Sequence, residues 1–462
     1  MGEAIRQLEP KALWNHFADL NAVPRPSKKE ERVIQFAKSF GELLNLPTQV
    51  DAVGNVIIKK PASIGMENRQ TVVLQSHLDM VHQKNADTVF DFDKQGIEMY
   101  IDGDWVKAKG TTLGADNGIG VAAIMALLAS TDIAHPPIEA LFTIDEETGM
   151  TGAKGLVGGL LNGTILLNLD TEDDDELTIG CAGGIDVTCT GEYLQEKPKG
   201  DLSLKISIKG LTGGHSGVDI QIATIDGGSL RNAIPRESVA EIVLDKKKHN
   251  ELKEAVTKFE KTIKAEHSFT DASLEVKLEN TVAVRNVMNA DFQYKFLRSM
   301  YACPNGIYRM TPEIEGLVQT SNNIAKVLVK EGKLSVQCLT RSSVDTEKTD
   351  LANAITSAFE LIGASIEFGG NYPGWEPKPD APIIKIMSEL YEELFKGKAH
   401  VNAVHAGLEC GIIGTNYPDM QMISFGPNIY GAHSPDERAQ ISSVQKFWIY
   451  LLATLKKIPV TE

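Results

Sequence analysis

The stretch ALFTIDEETGMTGA, residues 140–153, carries an apolar run that ends abruptly in three acids. The apolar residues are typical of a buried strand, and Asp145, Glu146 and Glu147 follow at its end. Placing like charges beside a core costs free energy unless a positive group compensates them. The acids therefore indicate either a solvated strand end or a cation that lies against them.

Other side chains that hold cations occur at similar positions. His77 and Asp79 follow the apolar run VVLQS and, at a spacing of two, lie on one side of a strand. Asp116 ends the turn TTLGAD directly before a helical pattern, and Asp170 follows TILLNL. His433 lies in PNIYGAHSPDE, after the strand pattern QMISFGP. All of them lie at or beside the carboxyl end of a buried strand, the edge at which sites of open α/β sheets form.

Imidazoles and carboxylates that converge on one edge repel each other unless cations lie among them. The ligand set contains nitrogen and oxygen but no thiolate, which suits Zn²⁺, Mn²⁺ or Co²⁺ better than a cysteine-rich structural zinc site. Two ions fit if one carboxylate bridges them. The pattern therefore predicts a metal centre of one or two ions.

Each of these residues also has a simpler interpretation. Asp116 could be the N-cap of the helix that follows it. His433 could be a surface histidine, the Glu146–Glu147 pair a solvated strand end, and His77-x-Asp79 a chance motif. Only their joint placement on consecutive strand ends favours metal binding.

The elements that must position these side chains alternate between strand and helix patterns. Such alternation predicts βαβ units and a largely parallel sheet that helices cover. The second helix is expected to start with a capping box from Ser27 to Glu30. The expected helices of this part span 10–21, 28–44 and 117–130, and the expected strands span 72–77, 138–144 and 164–169.

The pattern changes after CAGGID, residues 181–186. Segments such as DLSLKISIKG, SVAEIVLD, SLEVKLE and KLSVQCLT alternate apolar and polar residues, which predicts half-exposed antiparallel strands. Charged amphipathic helices separate them, and the Pro-rich segment NYPGWEPKPDAP returns the chain to the first domain. We therefore expect a first α/β domain built from 1–186 and 376–462, with 187–375 inserted as an α+β domain. In the last segment we expect helices at 382–396 and 441–457 and a strand at 421–427.

Composition limits the class of protein. The 462 residues are 42% hydrophobic and 23% charged, as in soluble globular proteins. Lys and Arg number 46 against 62 Asp and Glu, and this net charge of −16 argues against a nucleic-acid partner. No signal peptide or membrane span is evident, and the five scattered cysteines are expected to be reduced, so we predict a cytoplasmic protein.

Six ordered motifs resemble the M20 family of co-catalytic zinc peptidases. They are SHLDMV, LGADNGIG, DEETGMTGA, NLDTED, GGHSG and GAHSPDE. Within that family, VVLQSHLDMVHQKN, GCAGGID, LRNAIPRE, YPGWEP and HAGLECG resemble the bacterial dipeptidases that cleave Xaa-His dipeptides. The resemblance runs from about residue 10 to 460 and is weakest at about 240–320. It implies a zinc-peptidase-type α/β/α catalytic domain in which the inserted domain is a lid.

The resemblance also implies two Zn²⁺ per subunit, for which Co²⁺ or Mn²⁺ could substitute. The implied ligands are His77, Asp116 and Asp170 for one ion, and Asp116, Glu147 and His433 for the other, with Asp116 bridging.

Two further acids receive catalytic roles from the resemblance. Asp79 would fix the ring of His77, and Glu146 would act as the general base that takes a proton from the attacking water. The peptide bond between Asp116 and Asn117 is expected to be cis, as is typical of the family.

Substrate contacts are implied mainly for the inserted domain. His215 in GGHSG would donate to the developing oxyanion, Arg341 would hold the substrate carboxylate, and Asn232 would assist. Glu409 in HAGLECG would meet the substrate ammonium group. Residues on both domains would then act on one substrate, so the lid is expected to close over it.

Three functions remain open at this point. The first is a dipeptidase whose substrates include Xaa-His dipeptides such as β-alanyl-histidine, and the second is an N-acyl-amino-acid deacylase of the same family. The third is an inert metal-binding module, which the presence of Asp79 and Glu146 argues against. The partner is expected to be a small dipeptide, with no nucleic acid and no membrane, and a homodimer through the lid domain is expected from the resemblance.

Overall fold

The computed structural model describes residues 3–209, 220–312 and 314–461. Its contacts divide the chain into two compact units, the first built from Met1–Cys181 and Trp375–Glu462 and the second from Ala182–Gly374. The first boundary precedes the expected one at 186/187, because the strand Gly183–Glu192 pairs with strands of the second unit. No described helix combines the length and the apolarity that a bilayer crossing requires.

The described chain contains both α-helices and β-strands. The helices are α1 (Lys11–Asn21), α2 (Glu31–Leu43), α3 (Ala115–Ala129), α4 (Glu146–Gly149), α5 (Thr151–Gly155), α6 (His249–Glu266), α7 (Ala290–Ala302), α8 (Asp345–Glu360), α9 (Pro382–Phe395), α10 (Glu409–Asn416) and α11 (Ile441–Lys457). The strands are β1 (Thr48–Val50), β2 (Val56–Lys60), β3 (Val72–His77), β4 (Met99–Asp102), β5 (Trp105–Ala108), β6 (Ile138–Thr143), β7 (Ile165–Asn168), β8 (Glu176–Cys181), β9 (Gly183–Glu192), β10 (Gln195–Glu196), β11 (Leu202–Lys209), β12 (Gln221–Gly228), β13 (Glu237–Leu244), β14 (Glu275–Asn280), β15 (Val287–Met288), β16 (Gly306–Met310), β17 (Val318–Lys330), β18 (Lys333–Ser342), β19 (Ser365–Tyr372), β20 (His400–Val404), β21 (Gln421–Ser424), β22 (Ile429–Tyr430) and β23 (Arg438–Gln440).

The first unit is organised by an eight-stranded sheet with the order β1-β2-β6-β3-β7-β21-β8-β20. Its centre is parallel, since β3 pairs in parallel with both β6 and β7, and β21 pairs in parallel with β7. Every residue of β3, β6 and β7 is buried, which is why these segments are mostly apolar and show no alternation of buried and exposed residues. Strand β21 comes from the C-terminal segment of the chain, yet it lies between β7 and β8.

The second unit is built on a nine-stranded sheet in which neighbouring strands pair antiparallel. Helix α8 packs on β9, β18 and β19, and α7 packs on α8. Buried side chains from β9, β18 and α8 form one hydrophobic core, which includes Val187, Val336, Ile355 and Phe359. The inserted α+β character predicted from the alternating segments is confirmed.

The expected helices and strands of the first unit occur within a few residues of their predicted bounds, but the predicted capping box at α2 is wrong. The N-cap residue is Glu30, and no side chain caps the helix. The hydroxyl of Ser27 instead donates to Asp79 Oδ2 at 2.8 Å, because that buried carboxylate needs a donor. A tertiary hydrogen bond has replaced the local one.

Gly120 allows helix α3 to approach the sheet closely. A Cβ at this position would lie 2.4 Å from Asn117 Oδ1, 2.5 Å from Ser76 Oγ and 2.7 Å from the carbonyl oxygen of Leu169. We expect Gly120→Ala to lower the free energy of unfolding by about 1–3 kcal/mol, the usual cost of overpacking. Chemical denaturation measures the change. Gly397→Ala is the control, since no heavy atom lies within 4 Å of its Cβ position, and equal stability of both variants would contradict the prediction.

Candidate active site

Three neighbouring parallel strands bring the predicted residues to one edge of the sheet. His77 ends β3, Glu146 and Glu147 follow β6, and Asp170 follows β7. The register pairs His77 with Thr143, the last residue of β6, so the strands end at the same level. The carboxyl edge of the sheet therefore carries the side chains that the sequence placed there.

His77 lies in the first of two overlapping groups at this edge of the sheet that could hold a metal ion. Its Nε2 atom is 3.2 Å from Asp116 Oδ1 and 3.6 Å from Asp170 Oδ1. The side-chain amide of Asn117 donates to Asp170 and to the carbonyl oxygen of Leu169, which fixes the Asp170 carboxylate. One ligand atom from each of His77, Asp116 and Asp170 lies within 4.8 Å of the other two.

The second group shares Asp116 with the first. His433 Nε2 is 3.3 Å from Asp116 Oδ2 and 2.9 Å from Glu147 Oε2. The two oxygens of Asp116 thus face two different imidazoles, His77 through Oδ1 and His433 through Oδ2. This is the arrangement that a carboxylate needs to bridge two ions.

Asp116 is placed by an irregular start of α3. Its backbone angles and those of Asn117 are not helical, and the peptide bond between them is cis, as the resemblance implies. The simpler interpretation of Asp116 as an N-cap is wrong, since Gly114 occupies that position with φ +69°. The side chain is therefore directed into the site rather than onto its own helix.

The electrostatic field of this cluster favours positive charge. Burial by itself lowers the pKa of His77, but Asp170, Asp116 and Asp79 together raise it well above its ordinary value. Hydrogen bonds to Asp116 and Glu147 raise the pKa of His433 to about 11. Imidazole and carboxylate donors around a field of this sign fit a pair of divalent cations such as Zn²⁺.

The three acids that end β6 have three different surroundings. Asp145, in the left-handed conformation with φ +52°, turns into the protein and accepts hydrogen bonds from the hydroxyls of Thr148 and Thr151. Glu147 faces His433. Burial first, and the charges of Asp170 and other acids after it, raise the pKa of the Glu146 carboxyl well above its ordinary value. A raised pKa makes the Glu146 carboxylate a stronger base for accepting a proton.

Asp79 connects the segment that carries His77 to the segment that carries Glu146 and Glu147. Its Oδ1 lies 3.4 Å from His77 Nδ1 and accepts from the backbone N–H of Glu146 at 3.1 Å. Its Oδ2 accepts from the hydroxyl of Ser27 at 2.8 Å and from the N–H of Glu147 at 3.4 Å. One buried carboxylate thus orients the His77 ring, leaving Nε2 towards the metal group, and positions the two glutamates.

Glu409 has no exposed surface. Its Oε2 accepts from Gln75 Nε2 at 2.7 Å and from Thr143 Oγ1 at 2.6 Å, while Oε1 is buried without a hydrogen bond. Burial raises the pKa of this carboxyl to about 7. Contact with a substrate ammonium group stays a prediction that this burial argues against, because the side chain lies among strand residues beneath the site.

The other predicted substrate residues belong to the second unit. Asn232 is exposed in the loop after β12, and that loop is held by Asn323, whose amide donates to the carbonyl oxygens of Arg231 and Ala233. Arg341 is half-buried near the end of β18, opposite Ser321 of β17. His215 lies outside the described residues.

Two buried ionic residues near the site escaped the sequence analysis. The carboxylate of Glu437 accepts backbone hydrogen bonds from the loop that precedes α3. The guanidinium of Arg25 donates to the carbonyl oxygen of Gly114 in that loop and to that of Leu78, which follows β3. Glu437 belongs to the quoted motif GAHSPDE, and Arg25 lies between two prolines. Both are long charged side chains in segments rich in turn residues, which is the signal that could have drawn attention to them.

Comparison with known proteins identifies the family. Residues 73–457 match the model of peptidase family M20/M25/M40. The chain belongs to this family. It is therefore a peptide-bond hydrolase, which excludes the inert binding module considered above.

Relatives of known name align over the whole chain. The cytosol non-specific dipeptidase of Escherichia coli (strain K12) is 41% identical over 480 residues, which cover 98% of this chain and 99% of that protein. The crystal structure of aminoacylhistidine dipeptidase from Vibrio alginolyticus superposes with a TM-score of 0.94 and 42% identity, covering 100% of both chains. A tripeptidase from Staphylococcus aureus shares the fold, with a TM-score of 0.64 and 17% identity over 98% of this chain and 99% of that one.

The buried carboxyl of Glu409 predicts a pH-dependent stability. Its pKa of about 7 in the folded chain exceeds the ordinary value of 4.5. The contribution of the protonated carboxyl to the free energy of unfolding is therefore complete below the ordinary pKa and is lost as pH rises through about 7. Glu409→Gln removes this titration, and we expect the variant to gain stability relative to the parent between pH 5 and pH 8.5, by about 3 kcal/mol at most. Denaturation of both proteins after metal removal by a chelator measures the difference. The exposed Glu331→Gln is the control, and a difference that does not change with pH would contradict the prediction.

Proposed function

We propose that this M20 peptidase is a dipeptidase that acts with two zinc ions, in the cytoplasm. The observation that carries the proposal is Asp116, whose two oxygens face His77 and His433 within two adjacent groups of metal-ligating atoms. The names of the two relatives that align over the whole chain, both dipeptidases, support the substrate class. The name of the Escherichia coli relative also supports the location.

The ligands of the two ions follow from the two groups. His77, Asp116 and Asp170 would hold one ion, and Asp116, Glu147 and His433 the other, with Asp116 shared. Zinc bound there supplies Lewis acidity, which makes water a better nucleophile and polarises the scissile carbonyl group. Co²⁺ or Mn²⁺ could substitute, because the donors are nitrogen and oxygen.

The remaining steps belong to the side chains of this protein. Asp79 holds the His77 ring in the orientation that directs Nε2 inward. Glu146 accepts the proton of the attacking water through its carboxylate and then donates it to the leaving amine, a cycle for which a raised pKa is an advantage. The hydrogen bond from the Glu146 N–H to Asp79 fixes the position of the general base relative to His77, the metal ligand that Asp79 also contacts.

The substrates we propose are dipeptides, including Xaa-His dipeptides such as β-alanyl-histidine. The name of the Vibrio alginolyticus relative supports the histidine preference, whereas that of the Escherichia coli relative supports a broad one. In this proposal Arg341 binds the substrate carboxylate and Asn232 assists, with His215 donating to the oxyanion. A closing lid and a homodimer through the inserted unit belong to the same proposal.

Metal removal and a substrate panel test the proposal directly. We expect dialysis against a chelator to abolish hydrolysis of dipeptides and stoichiometric Zn²⁺ to restore it, because the activated water depends on the ions. Metal analysis of the active protein should give two ions per chain. Activity confined to N-acetyl amino acids would favour the N-acyl-amino-acid deacylase instead, and full activity without divalent ions would overturn the proposal.

Glu146→Gln tests the general base separately from the metal centre. The amide keeps the size of the side chain but cannot accept the proton, so we expect kcat to fall by about 10²–10⁴-fold. Bound zinc should stay at the parental level, since Glu146 belongs to neither metal group. Glu98→Gln, at a surface glutamate, is the control. Unchanged turnover in Glu146→Gln would remove this residue from the mechanism.

A further inference from the structure

The carboxylate of Glu437 is buried against four successive backbone amides. Its Oε2 accepts from the N–H groups of Leu113 and Gly114 at 2.7 and 2.9 Å. Its Oε1 accepts from those of Ala115 and Asp116 at 2.7 and 3.2 Å. Only 2% of Glu437 is exposed. Consecutive amides that converge on one anion form a concave backbone site, and here the anion is supplied by the protein itself.

The loop that Glu437 holds is the one that delivers Asp116 to the site. Its curvature depends on Gly114, whose φ of +69° lies in the left-handed region. A Cβ at Gly114 would also lie 2.5 Å from Arg25 Nη2 and 2.8 Å from Met80 Sδ. The backbone of this loop is therefore closely constrained on both sides.

Arg25 holds the carbonyl groups of the same region. Its Nη2 donates to the carbonyl oxygen of Gly114 at 2.5 Å, and its Nη1 donates to those of Leu78 and Asp79, both at 3.0 Å. Arg25 is 1% exposed. Arg25 thus links the loop before Asp116 to the end of the strand that carries His77, while Glu437 links it to the loop that carries His433.

We propose that Glu437, together with Arg25, is a positioning residue that holds the Asp116 carboxylate between the two ions. This inference rests on the proposed two-metal function. Glu437 lies four residues after His433, and its carboxylate is bound to the backbone of Asp116 itself. It connects two of the three members of the group Asp116, Glu147 and His433. Loss of Glu437 should therefore weaken the binding of the ion at Asp116, Glu147 and His433 more than the binding of the ion held by His77 and Asp170.

Zinc titration of the metal-free full-length protein tests this inference. Glu437→Gln keeps the length of the side chain, but its NH₂ group cannot accept, so amides of the loop are left unpaired. We expect the affinity for one of the two zinc ions to fall by tenfold or more. We also expect kcat to fall with KM nearly unchanged, and excess Zn²⁺ to restore part of the activity. Glu437→Asp keeps the charge at a shorter reach and should give an intermediate loss.

Glu139→Gln is a matched control at the other end of β6. Glu139 is also buried and its Oε2 accepts from the backbone N–H groups of Asn162 and Gly163 at 2.7 and 3.0 Å. This variant can lose stability but should keep parental affinity for both ions. Parental affinity for both ions in folded Glu437→Gln, or in Glu437→Asp if the first variant does not fold, would overturn the inference. A parent protein that binds fewer than two zinc ions would instead overturn the proposed function.

Discussion

A single shared carboxylate organises the candidate site. Asp116 presents one oxygen to His77 and the other to His433, two residues that come from opposite ends of the first unit's sequence. Four further acids, Asp79, Glu146, Glu147 and Asp170, surround it. Such a concentration of negative charge is costly in a protein interior unless cations offset it. The requirement for positive charge at this point explains both the raised pKa values of the imidazoles and the arrangement of the ligands around them.

The surrounding structure stabilises these buried charges by supplying a hydrogen-bond donor for nearly every carboxylate. Asp145 receives two threonine hydroxyls, Asp79 receives a serine hydroxyl and two backbone amides, and Glu437 receives four backbone amides. Donors of this kind reduce the desolvation cost of an anion without neutralising it. Negative charge can therefore be concentrated at the strand ends, where it serves binding, while the sheet below stays intact.

Much of this arrangement could be predicted from the sequence, because the residues at which buried strands end can be recognised from the sequence pattern. Largely apolar runs that end in a histidine or in acids predicted that His77, Glu147 and Asp170 lie at one edge, and they do so because the neighbouring parallel strands end at nearly the same level. The capping box at Ser27 was wrong for a different reason, namely that a distant buried carboxylate competes for the same hydroxyl. Glu437 could not be derived from a local pattern, because its partners lie more than 300 residues earlier in the chain. Glu409 was predicted to contact substrate, but its carboxylate accepts hydrogen bonds from Gln75 of β3 and Thr143 of β6, contacts between distant segments that no local pattern reveals.

The position of β21 has a consequence for how the molecule is made. This strand comes from the last part of the chain but lies between β7 and β8 in the middle of the sheet. A nascent polypeptide that has emerged only as far as the inserted unit holds β7 with an open edge, a state that invites pairing with other chains. It also lacks His433 and Glu437. The same C-terminal segment, which is synthesised last, thus completes both the sheet and the catalytic centre. A partly synthesised chain has neither a continuous sheet nor a complete set of ligands.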